Sequence, residues 1–242
     1  MAQDLTTCAR GYLYQYQPPY YNGFALTVFF EKHTPPTAFT PEPVRRKVAG
    51  MKQILLILAV VALVGCGKKP LDPIVEKAVR KSLEKPTGEL TKADLEKVEY
   101  IGINAQLTEV PKGLEMLTKL KTLSLENNKL TDVKGLEKLT KLEGLVLSYN
   151  KLTDVKGLEK LTQLTKLYLG KNQLTDVKGL EKLIRLTQLS LENNRLTDVK
   201  GIEKLTHLTW LDLRDNPNLT KGQIHKLQKA LPRCDILSNP KK

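Results

Sequence analysis

Cysteine and histidine are the side chains here best able to act as nucleophile, base or metal ligand, and the chain has three of each. Cys8, Cys66 and Cys234 lie far apart with no Cys-x-x-Cys spacing, so neither a disulfide framework nor a four-ligand zinc site follows. Cys234 has no activating constellation with His207 or His225, and a small, buried, apolar cysteine is the preferred reading. No acid/base pair is spaced for catalysis. The expectation is a non-enzyme with no cofactor and no metal site. Cys66 differs in context. Met51-Lys52 opens a short basic start, and Ile54 to Val64 is an unbroken apolar run ending in Leu63-Val64-Gly65-Cys66. The run is too short to cross ~30 Å of hydrocarbon as a helix and has the size of the apolar core of an export signal. Gly67-Lys68-Lys69-Pro70 follows as a polar tether.

The other residues with chemical potential come in columns. From 117 to 204 the chain repeats a 22-residue unit, in copies 117–138, 139–160, 161–182 and 183–204. Each carries Leu-x-x-Leu-x-Leu-x-x-Asn-x-Leu, first as Leu120, Leu123, Leu125, Asn128 and Leu130. Leu123 and Leu125 alternate with Thr122 and Ser124, the period of a strand. The rest of each unit is long enough for a parallel crossover to the next copy. The spacing therefore predicts a parallel sheet, with Val133 and Leu136 filling the core from the other side.

Asn128, Asn150, Asn172, Asn194 and Asn216 form a structural ladder that satisfies backbone groups where each strand turns away. Asp132, Asp154, Asp176 and Asp198 suggest calcium, but one carboxylate per repeat cannot supply converging oxygens, so a turn cap is preferred. The Lys and Glu columns of the outer half read as a solvated face. Outward strand positions vary between copies and carry whatever specificity exists. Candidate binding residues there are Tyr100, Tyr149, Lys166, Tyr168, Trp210, Asp212 and Arg214. Formal charge is +13, yet acidic and basic residues mix on this face, which argues against nucleic acid as a partner. Exposed aromatics and arginine suit a protein or glycan.

Two resemblances rest on these residues. Leu63-Val64-Gly65-Cys66 resembles the bacterial lipobox. That likeness implies a diacylglycerol on the Cys66 thiol, cleavage between Gly65 and Cys66, acyl chains such as palmitate, and a cell-envelope lipoprotein. Gly67 after the cysteine implies the outer membrane in a host with two membranes. The repeated motif resembles leucine-rich repeats of the SDS22-like and internalin-type subclass. It implies an α/β-type solenoid, a horseshoe with a concave parallel sheet.

The expected layout follows. Residues 1–50, with two Pro-Pro pairs and no apolar periodicity, read as a disordered arm or as translation from a start set too early; the export signal from Met51 favours the second. Residues 51–65 are the signal peptide and 66–72 a lipid-anchored tether. Residues 73–94 form a helical N-terminal cap with Asp72 and Pro73 at its start. The repeats span 95–226, and 219–242 supply a helix-plus-strand cap. Such lids are needed because an array leaves the apolar faces of its end members open. The expected function is a noncatalytic protein-binding scaffold, displayed on the bacterial envelope and acting as a monomer. A glycan- or wall-binding or structural lipoprotein is the alternative, and an enzyme regulator a poorer one.

Overall fold

The computed structural model describes residues 71–240. Seven strands form one sheet in sequence order: β1 (Tyr100–Gly102), β2 (Thr122–Ser124), β3 (Gly144–Val146), β4 (Lys166–Tyr168), β5 (Gln188–Ser190), β6 (Trp210–Asp212) and β7 (Asp235–Leu237). Every pairing is parallel. From β1 to β6 the register advances by one repeat, so Leu123 faces Leu145 and Leu145 faces Leu167. Equivalent residues therefore stand side by side in straight columns.

The sheet is one wall of a leucine core. Leu123, Leu125, Leu145, Leu147, Leu167 and Leu169 are completely buried. Their counterparts on the opposite wall, such as Val155 and Leu158, are as well covered. Burying one such side chain contributes about 1.5–3 kcal/mol, so the repeated motif drives the fold.

Each repeat closes through a short 3₁₀ turn: Leu114–Met116, Leu136–Lys138, Leu158–Lys160, Leu180–Lys182 and Ile202–Lys204. The residue before each turn is a glycine in the left-handed region, as at Gly157 with φ 106°. A Cβ built on Gly157 would meet Val133 only at 3.9 Å, so backbone conformation rather than crowding demands glycine there. A carboxylate completes the turn. Gly157 N–H donates to Glu159 Oε2 at 2.6 Å, and Gly135, Gly179 and Gly201 do the same to Glu137, Glu181 and Glu203. The Glu column, expected to be a merely solvated face, thus caps the turns. The Asp column sits one step earlier: Asp154 Oδ1 accepts from Lys156 N at 3.0 Å. It shapes the bend that leads into the turn.

At the first end lies α1 (Pro73–Ser82). Asp72 caps it by accepting from Ile74 N, and Val75 and Val79 seal the core. The one-turn helix α2 (Lys92–Leu95) follows, with a reciprocal box between Thr91 and Asp94. Lys85 Nζ lies 2.8 Å from the Asp94 carboxylate and, with the Thr91 bonds, holds it well below the usual carboxylate range. At the other end α3 (Lys221–Ala230) starts at Thr220, again with a reciprocal box, here to Gln223. It lays Leu227 and its C-cap Leu231 over the last repeat. β7 then pairs with β6. Among the described residues no helix is long and apolar enough to cross a membrane.

Candidate functional site: the outer strand face

Outward side chains of β1–β6 and of the residues just after each strand form four columns. Their geometry depends on the asparagines beneath. Asn172 is 7 % exposed; its Nδ2 donates to Leu147 O and Leu169 O at 3.0 Å, and its Oδ1 accepts from Leu152 N at 3.0 Å. Asn128, Asn150, Asn194 and Asn216 repeat this arrangement. The ladder binds three neighbouring backbone segments per asparagine and leaves no amide for a ligand.

The residue before each ladder asparagine is forced into the left-handed region: Asn127, Tyr149, Lys171, Asn193 and Asp215 all have φ between 51 and 57°. Asn and Asp tolerate this conformation, whereas bulky side chains do not. Tyr149 and Lys171 are therefore strained, and they stand 22 residues apart on adjacent repeats. Lys171 donates to the Tyr149 hydroxyl, and its ammonium lies 4.2 Å from the ring centroid. Tyr149 stays 46 % exposed.

Of the other sequence candidates, Tyr100 is exposed on β1, with its hydroxyl over Gly102. Lys166 and Tyr168 are half-buried on β4, and Tyr168 donates to Gln188 Oε1 at 2.6 Å. Trp210 is half-buried on β6. Asp212 departs from its expectation as an outward contact residue: it is completely buried. Arg214 covers it, donating from Nε to both carboxylate oxygens at 3.0 and 3.1 Å and from Nη2 to Oδ2 at 2.5 Å. Glu192 closes the remaining side, its Oε2 3.5 Å from Arg214 Nη2. Glu192 leans over Gly170, where an added Cβ would come within 2.8 Å of its Cγ. Burial, then the hydrogen bond and charge of Asp212, push the Glu192 carboxyl above its ordinary range, partly opposed by Arg214 and Lys171. Asp212 is thus the support of Arg214, which alone of the two is exposed.

Lys171 and Glu192 belong to the mixed charge that the sequence places on this face, but not to its candidate binding residues. The signal was present: Lys171 follows Tyr149, and Arg214 follows Glu192, by one 22-residue period, which makes each pair cross-strand neighbours. Gly65 and Cys66 lie outside the described residues.

The face presents aromatic rings, an anchored arginine and mixed charge, suited to recognition by contact. Among the described residues no group of three or more His, Cys, Asp or Glu side chains is gathered to hold a metal. Cys234 is buried, and burial, with Asp235 second, pushes its thiol up to about 11, so it is not a thiolate at neutral pH.

This fold is a leucine-rich repeat solenoid. Leucine-rich repeat models match residues 119–140, 140–182 (two copies) and 162–217. Among solved structures, the chain is similar to an internalin C2 (inlC2) from Listeria monocytogenes, at 27 % identity and a TM-score of 0.54, covering 71 % of this chain and 86 % of that one. An internalin (inlF) from the same organism matches at 24 % identity and a TM-score of 0.54 over 69 % of this chain, which spans only 56 % of that protein's length. No curated protein sequence matches the chain.

Proposed function

We propose that this protein is a noncatalytic protein-binding scaffold, held on the bacterial cell envelope by a lipid on Cys66, that engages its partner through the strand face. The observation that carries the binding reading is where the copies differ. Core, ladder and turn columns repeat almost without change. The outward column through the strands reads Thr122, Gly144, Lys166, Gln188, Trp210, and the column after them includes Tyr149 and Lys171. The residue types at Tyr149 and Lys171 support it, because they occupy a left-handed position that Asn127, Asn193 and Asp215 fill with side chains better suited to it. The anchor reading rests on Ile54 to Cys66 alone. Two or more acyl chains make such an anchor stable, where one is marginal.

The test is capture from envelope extracts with the full chain, comparing wild type with the triple variant Tyr149→Ala, Tyr168→Ala, Trp210→Ala. Loss of one defined protein partner supports the reading. Retention of that partner by the triple variant refutes it, and capture of wall glycan in place of protein moves the assignment to the glycan-binding class. The anchor is tested separately by labelling cells with a palmitate analogue. Cys66→Ala abolishes the label if the anchor is real, and an unchanged label sinks it.

A further inference from the structure

The charge pattern of α3 breaks a rule that every other turn and helix of the described fold obeys, an acidic residue in the first turn. α1 carries Glu76 in its first turn and α2 carries Asp94, both where the helix dipole favours an anion. Each 3₁₀ turn has its capping glutamate. α3 has no acidic residue anywhere, and its first residue is Lys221, a cation at the end of the helix that disfavours one; α2 also starts with a lysine, Lys92, but has Asp94 in the same turn. Lys221, His225 and Lys229 recur at four-residue spacing, so they share one face along ~12 Å of helix. All three are exposed, as are Lys226 beside them and Arg233 just beyond. Lys226 and Lys229 stand one turn apart with no acidic side chain on the helix between or beside them. In the other helices Arg80 pairs with Glu76 and Lys92 with Glu96, whereas among the described residues no ion pair includes Lys221, Lys226, Lys229 or Arg233. α3 packs on the Ile202–Lys204 turn, which adds exposed Lys204, while the Glu203 carboxylate there accepts from Gly201 N.

We propose that the outer face of α3, with Arg233, docks on the anionic phospholipid headgroups of a membrane. The choice of a membrane rests on the lipid-anchor reading above; the need for an anionic partner rests on the charges alone. The face has no Phe, Tyr or Trp to serve as a stacking platform for bases, His225 being its one ring, and no buried aromatic or aliphatic anchor of the kind that dominates protein interfaces. A dense row of flexible cations without a shaped pocket fits a fluid layer of mobile anionic headgroups. The contact orients a tethered solenoid by its far cap.

Vesicle sedimentation of the full chain in a Cys66→Ala background tests this free of acylation. The probes are vesicles of mixed phosphatidylglycerol and phosphatidylcholine, and of phosphatidylcholine alone. The quadruple variant Lys221→Gln, Lys226→Gln, Lys229→Gln, Arg233→Gln is expected to lose at least roughly tenfold in partitioning to the anionic vesicles, since each cation near such a surface is worth about fivefold. Partitioning to the neutral vesicles is unchanged, and high salt erases the difference. A matched variant on the flank, Lys134→Gln, Lys156→Gln, Lys178→Gln, Lys200→Gln, keeps near-normal binding. Equal loss in both variants assigns binding to bulk charge and overturns the proposal, as does unchanged binding of the α3 variant. Stronger α3-dependent binding to a single-stranded oligonucleotide than to the vesicles also overturns it. Unaltered thermal unfolding of both variants shows that the fold is intact. The palmitate label reports on Cys66 independently, so failure of the anchor and failure of the α3 contact are read apart.

Discussion

Arg214 closes over the carboxylate of Asp212, two residues before it on the same strand segment, through Nε at 3.0 Å and Nη2 at 2.5 Å. A fully buried anion thus fixes the rotamer of a residue that is itself exposed. The burial of Asp212 and the presentation of Arg214 are one arrangement.

Removing the cation leaves an uncompensated charge in the protein. Arg214→Ala is expected to cost about 2–3 kcal/mol, below the full penalty for a broken buried pair because the guanidinium is partly solvated. Urea unfolding measures it. Arg214→Ala combined with Asp212→Asn costs less than Arg214→Ala alone, since no buried charge then remains.

Glu192 gives the site a pH signature. Its carboxyl is pushed upward in the folded chain by burial first and by Asp212 second. A carboxyl raised on folding binds its proton more tightly in the native state. Its contribution therefore favours folding at acid pH and is lost as pH rises from the ordinary glutamate range through the raised value. Glu192→Gln is expected to be more stable than wild type at neutral pH, with the gap closing toward the acid side. Chemical unfolding across that range is the measurement, and a gap that widens on acidification contradicts the assignment.

Ladder and turn positions should separate in size. Asn172→Ala leaves Leu152 N–H and two carbonyls without their partner, a loss of roughly 2–3 kcal/mol. Glu159→Ala removes only a cap on the Gly157 amide, at about 0.5–1 kcal/mol. Glu137 and Glu159 accept from their own and the glycine amides, which lower both carboxyls. Their contribution is present above the ordinary glutamate range and fades as pH falls through the depressed value. Equilibrium unfolding of the two single variants at neutral and acid pH checks both statements.

The strained pair predicts a trade-off. Tyr149→Asn and Lys171→Asn put a residue that tolerates positive φ where a bulky one now sits. Each is expected to raise stability by roughly 0.5–1 kcal/mol while weakening partner capture. Differential scanning calorimetry paired with the capture assay reads both. A variant that gains stability and binds normally separates the strain from recognition.

The inward leucines and the parallel stacking were legible because they follow from period, since Leu123 and Leu125 must point inward once Thr122 and Ser124 point out; the solenoid came with the resemblance to leucine-rich repeats. The site was less legible. The outward register marks Asp212 as a contact residue, but Arg214, two positions on, folds back over it, and Glu192 covers it from the neighbouring repeat. The Glu column looked solvated because capping a glycine amide two residues back leaves no trace in composition. The left-handed backbone at Tyr149 and Lys171 was hidden for the opposite reason: those residue types argue against it, and the ladder asparagines impose it.

In the proposed scaffold, recognition belongs to the strand face and the repeated columns only hold it up. Hydroxyl-radical footprinting of the full chain, with and without its captured protein partner, tests this most directly. Protection is expected at Tyr149, Tyr168 and Trp210, with no change at the exposed Ile184 on the flank. Protection of Ile184 with the three aromatics unchanged would contradict the account.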